Sequence, residues 1–133
     1  MNKTRVEVIL GCMFSGKSTE LIRRTTRYKA IGKNVLLINH SKDTRTDDNV
    51  ETHSNLKEKA IKVSELLPLI DTIEFKNSDI IGIDEAQFFK DLYKFVLKAE
   101  KFNKTIIVAG LDGDFLRKPI GQILELIPLC DEV

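Results

Sequence analysis

A glycine-rich turn between an apolar run and an amphipathic segment constrains the fold of this chain most. The sequence reads VEVIL at residues 6–10 and GCMFSGKST at residues 11–19. The apolar run is typical of a buried strand, and from residue 17 to about residue 31 apolar side chains recur at helical spacing. The pattern G-x-x-x-x-G-K-S, placed between strand and helix, predicts a phosphate-binding loop of the Walker A type.

The residue types of this loop suit a phosphate group. Glycines such as Gly11 and Gly16 permit backbone angles that point successive N–H groups at one anion. The amino end of the following helix adds positive potential. Lys17 can reach the β- and γ-phosphates, and the Ser18 hydroxyl can bind Mg²⁺. A chance match in a turn is the alternative, and the flanking strand and helix argue against it.

A second apolar run, IIGI at residues 80–83, ends in two acidic residues. Asp84 is a candidate Mg²⁺ ligand through water, and the neighbouring Glu85 can accept a proton from an attacking oxygen. If that oxygen belongs to water, the chain is a nucleoside triphosphatase. If it belongs to a substrate hydroxyl, the chain is a kinase. The two acids alone do not decide between these reactions, and a solvated strand end is a further reading.

The remaining sequence alternates strands with helices. Further strands are predicted at 34–39, 60–63 and 106–111, and helices at 65–70, 88–102 and 121–127. Gly32 is the predicted cap at the end of the first helix, and Ser64 is the predicted cap at the start of 65–70. The polar residues 40–55 predict a long loop. This order predicts an α/β fold, with a mostly parallel sheet covered by helices on both faces.

Composition and charge exclude several classes of protein. A length of 133 residues predicts one domain, and a formal net charge of +1 gives no basic surface for nucleic acid. The helical arginines Arg23, Arg24 and Arg27 are therefore assigned to a polar face. No apolar run approaches the ~20 residues of a membrane span, and the amino end is not a convincing signal peptide, so we expect a cytoplasmic protein. The two cysteines, Cys12 and Cys130, predict neither a disulfide framework nor a zinc site.

Several blocks of the sequence resemble the cytosolic (type II) thymidine kinases, whose core is a RecA-like P-loop fold. They are GCMFSGKSTELIRR, DTR, TH, IGIDEAQFF and LDGDFLRKPIGQILELIPL, in family order. The resemblance implies transfer of the γ-phosphoryl group of ATP to the 5′-hydroxyl of thymidine or deoxyuridine, which gives thymidine monophosphate, a DNA precursor. It also implies Mg²⁺ as a cofactor and a homotetramer.

The same resemblance implies roles for individual residues. Glu85 matches the general base, and Arg45 matches an arginine that contacts phosphate, with Asp43 as the neighbouring acid. The set implied for ATP and its phosphates is Gly11, Met13, Phe14, Ser15, Gly16, Lys17, Ser18, Thr19, Asp43, Arg45, Asp84 and Gln87, of which Ser18 and Asp84 also hold Mg²⁺. The positions near the base are Met13, Phe88, Leu111 and Phe115. For Phe88 and Leu111 a place in the hydrophobic core is the alternative, and helical periodicity already accounts for Phe88. His53, a lone histidine in a loop, is assigned a surface or tethering role.

Family members continue into a small domain that binds Zn²⁺ through four cysteines and carries a loop that closes over thymidine. We expect neither in a chain that ends at Val133, so the nucleoside site is expected to be open to water. Two other functions remain open on the same core. An ATP-hydrolysing switch or motor would turn ATP over without a nucleoside, whereas a non-catalytic binding module would bind ATP without turnover.

Overall fold

The computed structural model describes residues 5–11, 17–41, 49–51 and 57–111, and for residues 10, 11, 17, 18, 49–51, 57–59 and 111 it describes the backbone alone. The elements are β1 (Arg5–Gly11), α1 (Lys17–Ala30), β2 (Val35–His40), β3 (Asn49–Glu51), β4 (Lys57–Lys59), β5 (Ile61–Val63), α2 (Ile73–Asn77), β6 (Ile80–Ile83), α3 (Leu92–Ala99) and β7 (Thr105–Leu111). Among the described residues, three 3₁₀ turns lie at Leu67–Asp71, Ala86–Phe88 and Glu100–Phe102.

Five of these strands form one parallel sheet in the order β1-β7-β6-β2-β5. Since the strands all run in one direction, their carboxyl ends meet at one edge of the sheet, which is where open α/β sheets bind their ligands. The predicted α/β fold with a parallel sheet is confirmed. The strands β3 and β4 form a separate antiparallel pair, so the prediction of one continuous loop over residues 40–55 is wrong at Asn49–Glu51.

Helices cover both faces of the sheet, as predicted. On one face, residues of α1 and of the sheet form a cluster of buried apolar side chains. Its members are Ile9, Leu21, Ile22, Leu37, Ala60, Ile80, Ile107 and Ala109. On the other face α2, α3 and two of the 3₁₀ turns enclose a larger cluster that contains the buried rings of Phe75, Phe89 and Phe95. The strands carry nearly continuous apolar runs because both of their faces are buried.

The carboxyl end of α1 has the predicted glycine cap. Gly32 has a φ of 85°, in the left-handed region. Its N–H donates to the carbonyl oxygen of Lys29 at 3.0 Å, and the N–H of Lys33 donates to that of Tyr28 at 3.0 Å. These two bonds make a Schellman motif, which satisfies carbonyl groups that the helix end leaves without partners.

A second glycine allows α1 to approach the sheet closely. Gly82 lies in β6, and a Cβ atom there would stand 2.8 Å from Cδ2 of Leu37 and 3.4 Å from Cδ1 of Leu21. Because only a hydrogen atom occupies that position, α1 and the side chains of β2 can pack against the backbone of β6. The helix that follows the predicted phosphate loop therefore lies directly behind the strand that carries the acid pair.

Two of the predicted helices differ from the structure. Residues 65–70 do not form an α-helix capped by Ser64, because in such a helix the ring of Pro68 would clash with the carbonyl group of Ser64. A 3₁₀ turn at Leu67–Asp71, with Pro68 near its start, lies there. Instead the backbone N–H groups of Leu66 and Leu67 donate to Oδ2 of Asp91, both at 2.9 Å. The helix predicted from Phe88 begins only at Leu92. The helix predicted at 121–127 lies outside the described residues.

Within the described ranges, no helix combines the length and the apolar character that crossing a membrane requires.

Candidate functional site

The carboxyl edge of the sheet brings the two predicted halves of the site to the same side of the molecule. β1 reaches this edge at Gly11, and α1 starts from it at Lys17. In the register of the sheet, Val8 of β1 and Ile83 of β6 both pair with Val108 of β7. β1 therefore extends three residues beyond the level at which β6 ends, and the two strands lie about 10 Å apart, on either side of β7. This difference in length makes a step in the edge of the sheet, and the acid pair that follows β6 lies at the foot of the step.

Asp84 is fixed by the backbone on both sides. Its side chain is nearly buried, with 1% of the residue exposed. Its N–H donates to the carbonyl oxygen of Ile38 at 2.9 Å, which continues the pairing of β6 with β2. Its Oδ1 atom accepts a hydrogen bond from the N–H of Glu85 at 2.9 Å. The carboxylate is thus held at the strand end in a defined orientation.

Glu85 has a left-handed backbone, with φ of 53° and ψ of 40°. For a residue with a side chain this conformation costs roughly 1–2 kcal/mol. Such strain is concentrated at functional sites, where the surrounding structure enforces it. The side chain is half-buried, and its Oε2 atom accepts a hydrogen bond from Nε2 of Gln87 at 3.1 Å. Gln87 itself is 2% exposed.

Aromatic residues lie beside the acid pair at the same edge. His40, the last residue of β2, is buried, although the sequence predicted that the polar loop would begin there. Its ring centroid lies 4.7 Å from that of Phe89 in an edge-to-face arrangement and 5.7 Å from that of Phe88. Phe89 is buried, whereas Phe88 is 36% exposed. Phe88 lies in a 3₁₀ turn, so the helical periodicity that would place it in the core does not apply.

A network of ion pairs joins α1 to β1, the two elements that flank the predicted phosphate loop in the sequence. Arg24 donates from Nη1 to Oε1 of Glu7 at 2.9 Å and from Nε to Oε2 of Glu20 at 2.6 Å. Arg23 also donates to Glu20, and this hydrogen bond, aided by Arg24 and opposed by desolvation, lowers the pKa of Glu20 to about 2. Arg24 is therefore a partly buried link between helix and strand, whereas the sequence predicted that it lay on a polar helix face.

The structure brings together part of the predicted set. Gly11 and Leu111 end the neighbouring strands β1 and β7 and pair with each other. The backbones of Lys17 and Ser18 begin α1, and Thr19 is half-buried in the same turn. Asp84, Glu85, Gln87 and Phe88 follow β6 without a break. The residues that lie outside the described part of the chain are Met13, Phe14, Ser15, Gly16, Asp43, Arg45, His53 and Phe115.

Sequence reasoning missed two features of this edge. It gave His40 no role, although a histidine two residues after the last apolar residue of a predicted strand would have justified attention. It also assigned Gln87 to ATP without detecting its contact with Glu85. Within the described residues, no group of three or more His, Cys, Asp or Glu side chains forms a metal cluster.

The sequence was compared with known proteins. A profile of the family described as Thymidine kinase matches residues 4–133. The chain is 44% identical to thymidine kinase a of Arabidopsis thaliana over an alignment of 133 positions, which covers 96% of this chain and 56% of the plant protein. It is 41% identical to the thymidine kinase of Variola virus, covering 100% of this chain and 74% of the viral protein. It is 46% identical to the thymidine kinase of Yaba monkey tumor virus, covering 96% of this chain and 70% of that protein.

Proposed function

This chain belongs to the thymidine kinase family, and on that premise we propose that it transfers the γ-phosphoryl group of ATP to the 5′-hydroxyl of thymidine or deoxyuridine. The product is thymidine monophosphate or its deoxyuridine counterpart. The observation that carries the proposal is the position of Asp84 and Glu85. They follow β6 at the edge of the sheet where β1 passes into the Walker A segment and α1.

The Walker A segment holds the triphosphate in this proposal. The N–H groups of its loop, from Gly11 to Gly16, surround the phosphate oxygens, and Lys17 adds a point charge at the β- and γ-phosphates. Thr19 continues the first turn of the helix, whose amino end favours anions. The link between Arg24 and Glu7 supports this assignment, because it fixes α1 against β1 and so fixes both ends of the loop.

Ser18 and Asp84 are the proposed holders of Mg²⁺. A hydroxyl, a carboxylate and substrate phosphates are oxygen donors, which is the donor set that Mg²⁺ prefers. When bound, the ion neutralises charge on the phosphate oxygens. The buried carboxylate of Asp84, oriented by the N–H of Glu85, fits this role because its position does not depend on solvent.

Glu85 is the proposed general base. A carboxylate within hydrogen-bonding distance of the 5′-hydroxyl accepts its proton while the oxygen–phosphorus bond forms and the bond to the β-phosphate oxygen breaks. Arg45 is proposed to stabilise charge on the equatorial oxygens of the transferred group, with Asp43 as its neighbouring acid. Glu85 is suited to its task because its left-handed backbone and the contact with Gln87 hold it at the foot of the step.

The proposed nucleoside pocket is aromatic, because a pyrimidine base is flat and stacks on ring faces. Phe88 supports this proposal because its ring is accessible and packs at a tilt beside the ring of His40. Met13, Leu111 and Phe115 complete the proposed pocket. On the same premise we propose a cytoplasmic homotetramer that binds neither nucleic acid nor membrane.

Product formation tests the proposal. The chain is incubated with ATP labelled at the γ-phosphate, Mg²⁺ and thymidine, and the products are separated. We expect label in thymidine monophosphate and none when cytidine replaces thymidine. Label released as free phosphate without any nucleoside would instead indicate an ATP-hydrolysing switch, and binding of ATP with no turnover would indicate a non-catalytic module. Either result contradicts the proposed transfer.

A further inference from the structure

We propose that Gln87 is a positioning residue, whose side-chain amide holds the Glu85 carboxylate in the orientation that proton transfer requires. This inference rests on the proposed function, because it assumes that Glu85 is the base. It differs from the role that the sequence suggested, which was contact with ATP. The two roles predict different changes in the kinetic constants.

The contact itself is directional. Nε2 of Gln87 lies 3.1 Å from Oε2 of Glu85. An ionised carboxylate only accepts hydrogen bonds, and in a glutamine side chain only the nitrogen donates. The chemistry of the two groups therefore determines which way the amide faces. Gln87 cannot turn its carbonyl oxygen toward Glu85 without placing two acceptors against each other.

Burial makes this contact durable. Gln87 is 2% exposed, so water cannot readily replace its partners. A buried donor that loses its partner is left without the hydrogen bond that water would otherwise supply, which destabilises the fold. Glu85, by contrast, is half-buried and its long side chain has several rotamers to choose from. The buried amide is the fixed member of the pair, and the more exposed carboxylate is the member that it restrains.

The backbone explains how two residues so close in sequence can meet. Side chains at positions i and i+2 of a regular helix do not face each other. Here the left-handed conformation of Glu85 turns the chain, and the 3₁₀ turn Ala86–Phe88 follows at once. The N–H of Phe88 donates to the carbonyl oxygen of Glu85 at 3.2 Å, which closes this turn. The strained residue and its restraining amide thus belong to one compact unit.

A kinetic split tests the role of Gln87. Methionine has a similar length and no donor, so Gln87→Met removes the hydrogen bond while keeping most of the packing. We expect kcat to fall about 10- to 100-fold, because small displacements of a reacting group cost rates of that order. The KM for ATP and the equilibrium affinity for ATP should stay at the wild-type values. A wild-type kcat with weakened ATP binding would overturn the proposal and make Gln87 a ligand of ATP.

Ser78→Ala is the matched control. Ser78 is also buried, and its hydroxyl group donates a hydrogen bond to the carbonyl oxygen of Phe75 at 2.9 Å. Ser78→Ala therefore also removes one buried side-chain donor. It lies just before β6, at the opposite end of the strand from Glu85. A fall in kcat that Ser78→Ala shares would mean that Gln87→Met acts through general destabilisation, and the proposal would be wrong.

A measurement on the side-chain amide tests the contact without changing Gln87. In the NMR spectrum, the Nε2–H resonances of Gln87 should move upfield when Glu85→Ala removes the acceptor. Unchanged resonances would overturn the proposal even if Gln87→Met does not fold.

The failure of the proposed function is a separate result. If Glu85→Gln transfers phosphate at the wild-type rate, Glu85 is not the base. If Glu85→Gln is inactive while Gln87→Met keeps its kcat, only the role of Gln87 fails.

Discussion

At the scale of single residues, the acid pair after β6 combines a rigid carboxylate with a strained one. Asp84 continues the ladder of the sheet, whereas Glu85 leaves it in a left-handed conformation. The sequence predicted both acids, because an apolar run that ends in Asp and Glu is readable. It did not predict the left-handed turn, because the segment IDEAQFF contains no glycine or asparagine that would indicate one. A functional residue that adopts a costly conformation is where local rules are expected to fail.

The strain at Glu85 predicts a difference between two variants that both remove the carboxylate. Alanine keeps the cost of a left-handed side-chain residue, roughly 1–2 kcal/mol, whereas glycine avoids it but gains freedom in the unfolded chain. We expect Glu85→Gly to have a higher free energy of unfolding than Glu85→Ala, by about 0.5–1 kcal/mol. Urea denaturation measures this, and both variants should lack transfer.

Asn103 provides the control for this comparison. Within the described residues it is the other non-glycine residue with a positive φ, at 57°. It lies before β7, at the edge of the sheet opposite Glu85. Asn103→Gly should also be more stable than Asn103→Ala, and both should retain transfer. Equal stabilities for the two Glu85 variants would contradict the assignment of strain to that residue.

At the scale of elements, the position of α1 depends on charges as well as on its apolar face. The sequence predicted the helix, its apolar side and its glycine cap. It did not predict that Arg24 reaches Glu7, because that pair joins a helix to a strand. Asp91 is a similar case, since it binds the N–H groups of Leu66 and Leu67, about 25 residues earlier in the chain. Contacts between distant segments leave no periodic pattern in a sequence.

The network on α1 predicts a dependence of stability on pH. The pKa of Glu20 is lowered from 4.5 to about 2 in the folded state, chiefly by the hydrogen bond from Arg23. Its contribution to stability is therefore complete above about pH 4.5 and is lost as the pH falls toward 2. At pH 7 we expect the free energy of unfolding of Glu20→Gln to be about 1 kcal/mol lower than that of the wild type, a modest difference because the group is partly exposed. Urea denaturation measures this gap between the two proteins, and the gap should narrow below pH 4.5.

Salt gives the control for the Glu20 prediction. At 1 M salt the Debye length is about 3 Å, so the gap at pH 7 should shrink. A gap that stays constant from pH 7 down to pH 2 would show that the carboxylate charge does not carry the effect.

At the scale of the whole molecule, the parallel sheet places at one edge those candidate residues that the structure describes. The alternation of strands and helices was enough to predict the fold class. It was not enough to predict the order β1-β7-β6-β2-β5, because β1 pairs with the last strand of the described chain, Arg5 with Thr105. The family assignment agrees with this arrangement, in which β1, the strand that leads into the Walker A segment, and β6, the strand that leads into the acid pair, lie on either side of β7.

The proposed reaction depends on Glu85 acting as the base at an ATP site formed on this edge. The most direct measurement compares ATP affinity and thymidine phosphorylation in Glu85→Gln and the wild type. The matched control is Glu74→Gln, which changes an exposed glutamate of α2, the helix that precedes the amino end of β6. We predict that Glu85→Gln binds ATP with wild-type affinity and loses about 10²- to 10⁴-fold in transfer rate, while Glu74→Gln is unaffected. Transfer at the wild-type rate by Glu85→Gln would contradict its role as the base.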